Sequence, residues 1–358
     1  MPQGQSFVGT TPRGQDGLAW TNRYAYAGCM GKIEIGGQSV EGGADRMNED
    51  GLFCGCFNHP GYTIFPPVTE ANRSSMIASW QAPGFECGNY KSTAEARTRL
   101  ERGDFIIGDV PFPFPGQPAQ SPQHIRIGDA SGDTIVVEWY AADGCPTIDE
   151  AETGVITNAP AYSFHQANIR QFSHLLPNNP SGPFNAGSQD YKQMMGDGYL
   201  SMPGGSSAPD RFARASLMSR DAHTGADGES TVWLACHIMN CFDLPQGLLR
   251  NVEAETNTEI TEYTLWTGVA DTRNWIDYFR SHTDNVIYTM DLSRLNPKGI
   301  QPLECALANA TSRRTNHALD EQERNEAEGL PLHQRNGPRQ DQSHHVVDHK
   351  AMNEDQDA

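Results

Sequence analysis

Eight cysteines, Cys29, Cys54, Cys56, Cys87, Cys145, Cys236, Cys241 and Cys305, are the residues whose type most readily carries chemistry, as nucleophiles or metal ligands. No CxxC pair repeats, so no structural zinc site is expected, and nothing in the spacing implies a cofactor or metal. Cys54 and Cys56 flank Gly55 in a strand-like run and share one face. Cys236 and Cys241 lie on what reads as a buried helix. Reduced thiols behaving as small buried hydrophobes are the expectation, because a chain of this length does not need disulfide staples. Among other polar groups, Asn158 stands two residues before Pro160 and suits an Asx-type turn. Arg211 beside Asp210 at a helix start suits an exposed ion pair worth under ~1 kcal/mol. Asn58, before His59-Pro60-Gly61, is by composition a turn residue. His165 and Glu49 look reactive but are read as packing or hydrogen-bonding groups. No Walker loop, GxGxxG, HExxH or GxSxG occurs.

The elements that must position these groups belong to an acidic chain of 358 residues, with 26 Lys and Arg against 45 Asp and Glu. A net charge of −19 argues against nucleic acid as partner, since phosphate binding needs a basic surface. No apolar stretch approaches the about 20 residues of a membrane span, and residues 1–17 carry no secretory pattern, so a soluble protein is expected. Residues 312–358 hold ten acidic and six basic side chains and no aromatic. They read as a disordered acidic, polar tail whose His344, His345 and His349 are solvated. Residues 1–311 form the domain. Within it the first twenty residues read as loop, and strands are expected over 22–36, at LFCGCFN and at GVITNAP. Helical spacing covers Glu70–Trp80. Ser92 with Glu95 marks a helix N-terminus, and Gly103 its end. Residues 124–140 read as a hairpin turning at Asp129–Asp133. Helices follow at 209–220 and 229–242, then strands at 259–267, 274–280 and 285–292. Strands at both ends with helices between them make an α+β sandwich.

Longer blocks in a fixed order add to this. They are ADRMNEDGL (44–52), FNHPG (57–61), IGDASGDTIVVEW (127–139), GVITNAP (154–160), FHQAN (164–168), SSAPDRFARA (206–215) and EITEYT (259–264). The succession, over roughly residues 20–295, resembles the choloylglycine hydrolase family of bile salt hydrolases and penicillin V acylases. The resemblance implies an αββα N-terminal-nucleophile hydrolase fold acting on small linear amides. A cysteine thiol attacks the carbonyl there, and its own α-amine moves the proton, an amine whose ordinary pKa lies near 8. It also implies that Asn158 and Arg211 are active-site residues and that Asn58 is a second oxyanion donor. Asn58 is the residue type of bile-salt-cleaving members, where penicillin acylases carry Tyr. Pro209-Asp210 departs from the usual residues before the arginine.

The family opens on its nucleophilic cysteine, followed by an Arg and an Asp, and this sequence shows none of them before Cys29, which aligns beyond the nucleophile. A gene beginning upstream of Met1 is the favoured expectation. A truncation that lost activity, or an inactive acyl-amide-binding protein, are the alternatives. The 358-residue chain is expected not to hydrolyse amides by this mechanism. Assembly as a homo-oligomer is left open.

Overall fold

The start of the chain, expected as loop, is a hairpin: β1 (Ser6–Thr11) and β2 (Gly14–Thr21) run antiparallel. The glycines that suggest loop are there for packing. A Cβ on Gly9 or Gly17 would lie 2.1 or 2.3 Å from the Met76 carbonyl oxygen, so only glycine lets the hairpin lie against that backbone. The computed structural model describes residues 1–28, 30–35, 38–111, 122–179, 184–186, 188–191, 197–253 and 257–294. The expected tail, Cys29 and Cys305 lie outside the described residues.

Next come β3 (Tyr26–Ala27), the pair β4 (Met30–Ile35) and β5 (Gln38–Gly43), then β6 (Asp45–Asn48) and β7 (Phe53–Asn58). Fully buried Asn48 makes the turn between β6 and β7. Its Oδ1 accepts from the amides of Asp50 (3.0 Å) and Leu52 (2.9 Å), and its Nδ2 donates to the carbonyls of Cys87 (2.9 Å) and Tyr90 (2.7 Å). Glu70–Trp80, expected as one helix, is instead the strand β8 (Met76–Ala78), parallel to β9 (Ile106–Gly108), between single 3-10 turns at Arg73–Ser75 and Ser79–Gln81. All three residues of β8 are buried, which marks a strand covered on both faces; such a run has no polar face to distinguish it from a helix. The helix starts later, as α1 (Ala82–Asn89), with Pro83 in its first turn. In α2 (Thr93–Arg102), Ser92 Oγ accepts from the Glu95 amide (3.3 Å), and Gly103 closes the helix at φ +66°.

The hairpin appears as β10 (Gln123–Gly128) and β11 (Thr134–Glu138), followed by β12 (Thr147–Glu150). An antiparallel sheet of six runs β12-β11-β10-β7-β6-β3. Ile125, Ile127, Ile135 and Val137 join Phe85, Cys87, Ala96 and Leu100 of α1 and α2 in the main core. The alternate residue Val136 faces the other way, onto Tyr162 of α3 (Tyr162–Asn168) and Phe212 of α4 (Ala208–Asp221). GVITNAP, expected as a strand, is irregular between β12 and α3.

Two short pairs, β13 (Phe184–Ala186) with β14 (Gln189–Tyr191) and β15 (Leu249–Glu253) with β16 (Thr258–Glu262), flank the helices α4 and α5 (Gly228–Asn240). A second sheet then forms from β17 (Trp266–Asp271), β18 (Ile276–Ser281) and β19 (Asp284–Asp291). It lies against the first: Arg273 Nε donates to the Ala130 carbonyl (3.2 Å), and Gly51 has no room for a Cβ beside the Thr272 oxygen (2.3 Å). With α5 on β17, the layers are helix, sheet, sheet and helix, the αββα sandwich. Helix α5 is less buried than expected, since only Val232 is enclosed, Cys236 is half-buried and Cys241 exposed. No two of the six described cysteines are joined by a disulfide. No helix among the described residues is long and apolar enough to cross a membrane.

Candidate active site

Residues 154–160 form no strand, and side chains from elsewhere take several of their backbone groups. The Thr157 carbonyl accepts from His124 Nε2 (2.8 Å), and the Asn158 carbonyl from His165 Nε2 (3.0 Å). The Ala159 amide donates to the Asn58 carbonyl (3.1 Å), and Thr157 Oγ1 donates to the Ala208 carbonyl (3.1 Å) in the first turn of α4. Held at these points, Asn158 meets α4 with its carboxamide, where Arg211 Nη2 donates to its Oδ1 (2.7 Å).

Arg211 is placed by its own helix start. Ser207 caps α4 by accepting from the Asp210 amide (3.3 Å), and Arg211 Nε donates to the Ser206 carbonyl (3.1 Å). The guanidinium partners Asn158 rather than Asp210, so the exposed ion pair that composition allowed is not what forms. Burial first, then neighbouring Arg214, disfavour the Arg211 charge, and Glu262 opposes them.

Because Arg211 occupies Oδ1, the amide of Asn158 is oriented and its Nδ2 remains to donate. Asn58 ends β7 opposite Gln123 of β10. Its carboxamide is exposed and has no partner among the described residues, while its carbonyl holds the residue after Asn158. The three residues singled out from sequence are therefore brought together: Asn58 is tied to Ala159, and Asn158 to Arg211. Two carboxamides and a guanidinium, all hydrogen-bond donors, thus lie on neighbouring segments. Glu49 and His165 take the hydrogen-bonding and packing roles expected of them. Glu49 accepts from the Ala25 amide (3.0 Å), and His165 stacks on Phe212 (4.8 Å, 15°).

Sequence reasoning missed the group behind this site. His124 Nδ1 meets Glu138 Oε1 at 2.8 Å, and Glu138 also accepts from the Tyr162 amide (3.0 and 3.2 Å) and the Tyr140 hydroxyl. Burial pushes the Glu138 carboxyl up, but the hydrogen bonds from His124, Tyr140 and Tyr162 outweigh it and hold the group below its ordinary value. The His59 ring stacks on His124 (4.1 Å, 6°), and its Nδ1 lies 2.8 Å from Thr63 Oγ1. Its Nε2 has no hydrogen-bond partner and sits 3.4 Å from Glu138 Oε1. Burial above all, then His124, lower its pKa to about 4.

Ligand atoms of His59, His124 and Glu138 lie within 4.8 Å of one another, as a metal site would require. Two rings stacked in parallel cannot both aim an in-plane lone pair at one ion ~2.0 Å away. His124 also has both nitrogens engaged. The cluster is a hydrogen-bonded one. Its sequence signal is the carboxylate inside the apolar run TIVVEW, since a buried charge demands partners.

Residues 10–303 match the family of linear amide C–N hydrolases, choloylglycine hydrolase family. A bile salt hydrolase/transferase of Clostridium perfringens is 27% identical over 258 residues, covering 72% of this chain and 74% of that protein. A penicillin V acylase of Pectobacterium atrosepticum is 24% identical over 298 residues, covering 80% and 71%. The structure of a conjugated bile acid hydrolase from Clostridium perfringens superposes with a TM-score of 0.68 at 25% identity, over 84% of this chain and 85% of that one. With the family match spanning most of its length, the chain belongs to the choloylglycine hydrolase family of linear amide C–N hydrolases.

Proposed function

We propose that this chain binds and polarises the amide that joins an acyl or steroid carboxylate to a small polar amine, for hydrolysis of the bile salt hydrolase and penicillin acylase type. The observation that carries the reading is the 2.7 Å bond from Arg211 to Asn158, which leaves Asn158 Nδ2 free to donate, with the Asn58 backbone bonded to the next residue, Ala159. Donors fixed before the substrate arrives stabilise the developing oxyanion without reorganising. Asn58 favours bile-salt-type conjugates over penicillin V, by the ~1–3 kcal/mol that one pocket group supplies.

The attack belongs to an N-terminal cysteine thiol and its α-amine, as the family resemblance implies. The cysteines of β7 and α1 do not suit it. Burial holds the Cys56 thiol up to about 12 and raises Cys54 and Cys87 as well, so none offers a thiolate at neutral pH. The Met1 amine donates to the Tyr26 carbonyl (2.6 Å), beside Asn48 at the far end of β7 from Asn58. The test compares the 358-residue chain with the same chain carrying a relative's nucleophile-bearing N-terminal strands. Taurine and glycine conjugates, penicillin V and acyl-homoserine lactones are the substrates. Both proteins should bind the conjugates and only the second should release taurine or glycine, with Asn158→Ala or Arg211→Ala lowering kcat by about 10²–10³. Turnover by the 358-residue chain that vanishes on changing Cys29 would overturn the assignment of the nucleophile. Faster cleavage of penicillin V would overturn the substrate ranking, and binding without turnover by both proteins would make this an acyl-amide-binding protein.

A further inference from the structure

We propose that His165 and the Glu138–His124 pair are positioning residues that aim the Asn158 carboxamide by gripping two successive backbone carbonyls. The consequence for ligand binding rests on the function proposed above; the geometry does not. The carbonyls of Thr157 and Asn158 each end on a buried imidazole Nε2, at 2.8 and 3.0 Å. With both oxygens held, the peptide units on either side of the Asn158 Cα are restrained, and its side chain meets Arg211.

The proton positions follow from the partners. His165 Nδ1 is buried with no partner, so the single proton of the neutral ring sits on Nε2, where Asn158 receives it. The same ring stacks on Phe212, the residue after Arg211, so one side chain ties the Asn158 backbone to the helix that carries its partner. His124 must donate from Nε2 to a carbonyl, and Glu138 at its Nδ1 fixes the ring in that orientation. Glu138 is held in turn by the Tyr162 amide at the start of α3 and by the Tyr140 hydroxyl.

The experiment is nitrogen-edited NMR of the Asn158 side-chain amide and the Arg211 guanidinium in the full chain, with calorimetric binding of a taurine-conjugated bile salt alongside. Each variant is read well below its own melting midpoint. His165→Phe keeps the ring on Phe212 and removes the donor. It should hasten solvent exchange at Arg211 and weaken binding roughly 10–100-fold. His165→Gln restores a donor without the stack and should recover the Arg211 protection. Glu138→Met, which removes the acceptor at His124 Nδ1, should behave as His165→Phe. Unchanged exchange in His165→Phe would overturn the proposal by making His165 a packing group, and this arm decides even where Glu138→Met does not fold. If the wild type binds no conjugate, the proposed function fails, while the exchange data still report on the positioning.

Discussion

The two sheets of the sandwich face each other yet handle burial in opposite ways. In β10 and β11, Ile125, Ile127, Ile135, Val136 and Val137 are at most 1% exposed, and the polar groups among them interlock. Glu138, fully enclosed, has a partner for each oxygen, and its hydrogen bonds hold it ionised against the cost of burial. In the second sheet, only Thr267 among the described residues of β17, β18 and β19 is buried, and every residue of β18 is half-exposed. Its acid Asp277 faces Asp45, and burial first, then that like charge, push its carboxyl up to about 7. A desolvated carboxylate keeps its charge where several donors hold it, as Glu138 shows. Desolvated beside another acid, Asp277 is instead pushed towards its protonated form. The candidate site belongs to the first regime.

The largest expected effect tests the burial difference directly. Ile135→Ala should cost about 2–5 kcal/mol, as for other enclosed aliphatic side chains. Ile276→Ala, on half-exposed β18, should cost about 1 kcal/mol. Denaturant unfolding of the two variants measures both, and equal losses would erase the distinction between the sheets.

Next in size is the response to pH, where the two regions pull in opposite directions. The His59 pKa lies at about 4 against an ordinary 6.5, so the unfolded chain takes up a proton that the folded one refuses. Its contribution is full above 6.5 and is lost as pH falls from there to 4, with His165, lowered chiefly by burial, acting in the same sense. The Asp277 pKa is about 7 against 3.8, so its contribution is full below 3.8 and is lost as pH rises through 7. Between pH 4 and 6.5 the two slopes oppose each other. Relative to wild type, Asp277→Asn should make stability rise more steeply with pH in that window. His59→Phe, which keeps the ring on His124, should tilt it the other way. Each change in slope is bounded by about 1.4 kcal/mol per pH unit. Melting curves across the window that are parallel in all three proteins would contradict both assignments.

The smallest effect sharpens the comparison by showing where the regions do not differ. Ser92 caps α2, on the first sheet, and Asp227 caps α5, on the second, each accepting from the backbone amide three residues on. Ser92→Ala and Asp227→Ala should each cost about 1 kcal/mol in thermal unfolding, because a cap acts within its own first turn. A cost confined to Ser92→Ala would mean that α5 contributes little to the fold.

The sequence by itself determined the elements whose signals are local. Helix α2 lies between Ser92 and Gly103 as read, and the β10–β11 hairpin turns at Asp129–Asp133, because capping and turn chemistry act over a few bonds. The order of the blocks likewise singled out Asn58, Asn158 and Arg211, which the fold brings together. Tertiary structure alone decided what those residues do with their neighbours. Gly9 and Gly17 read as loop until the Met76 backbone is laid against them, and GVITNAP reads as a strand until its carbonyls are taken by His124 and His165. Likewise the carboxylate in TIVVEW announces that it needs partners without saying which. The physical reason is the same in each case: a backbone group or buried charge must be satisfied, but its partner is chosen by which distant segment packing brings within hydrogen-bond reach, and no spacing along the chain encodes that distance.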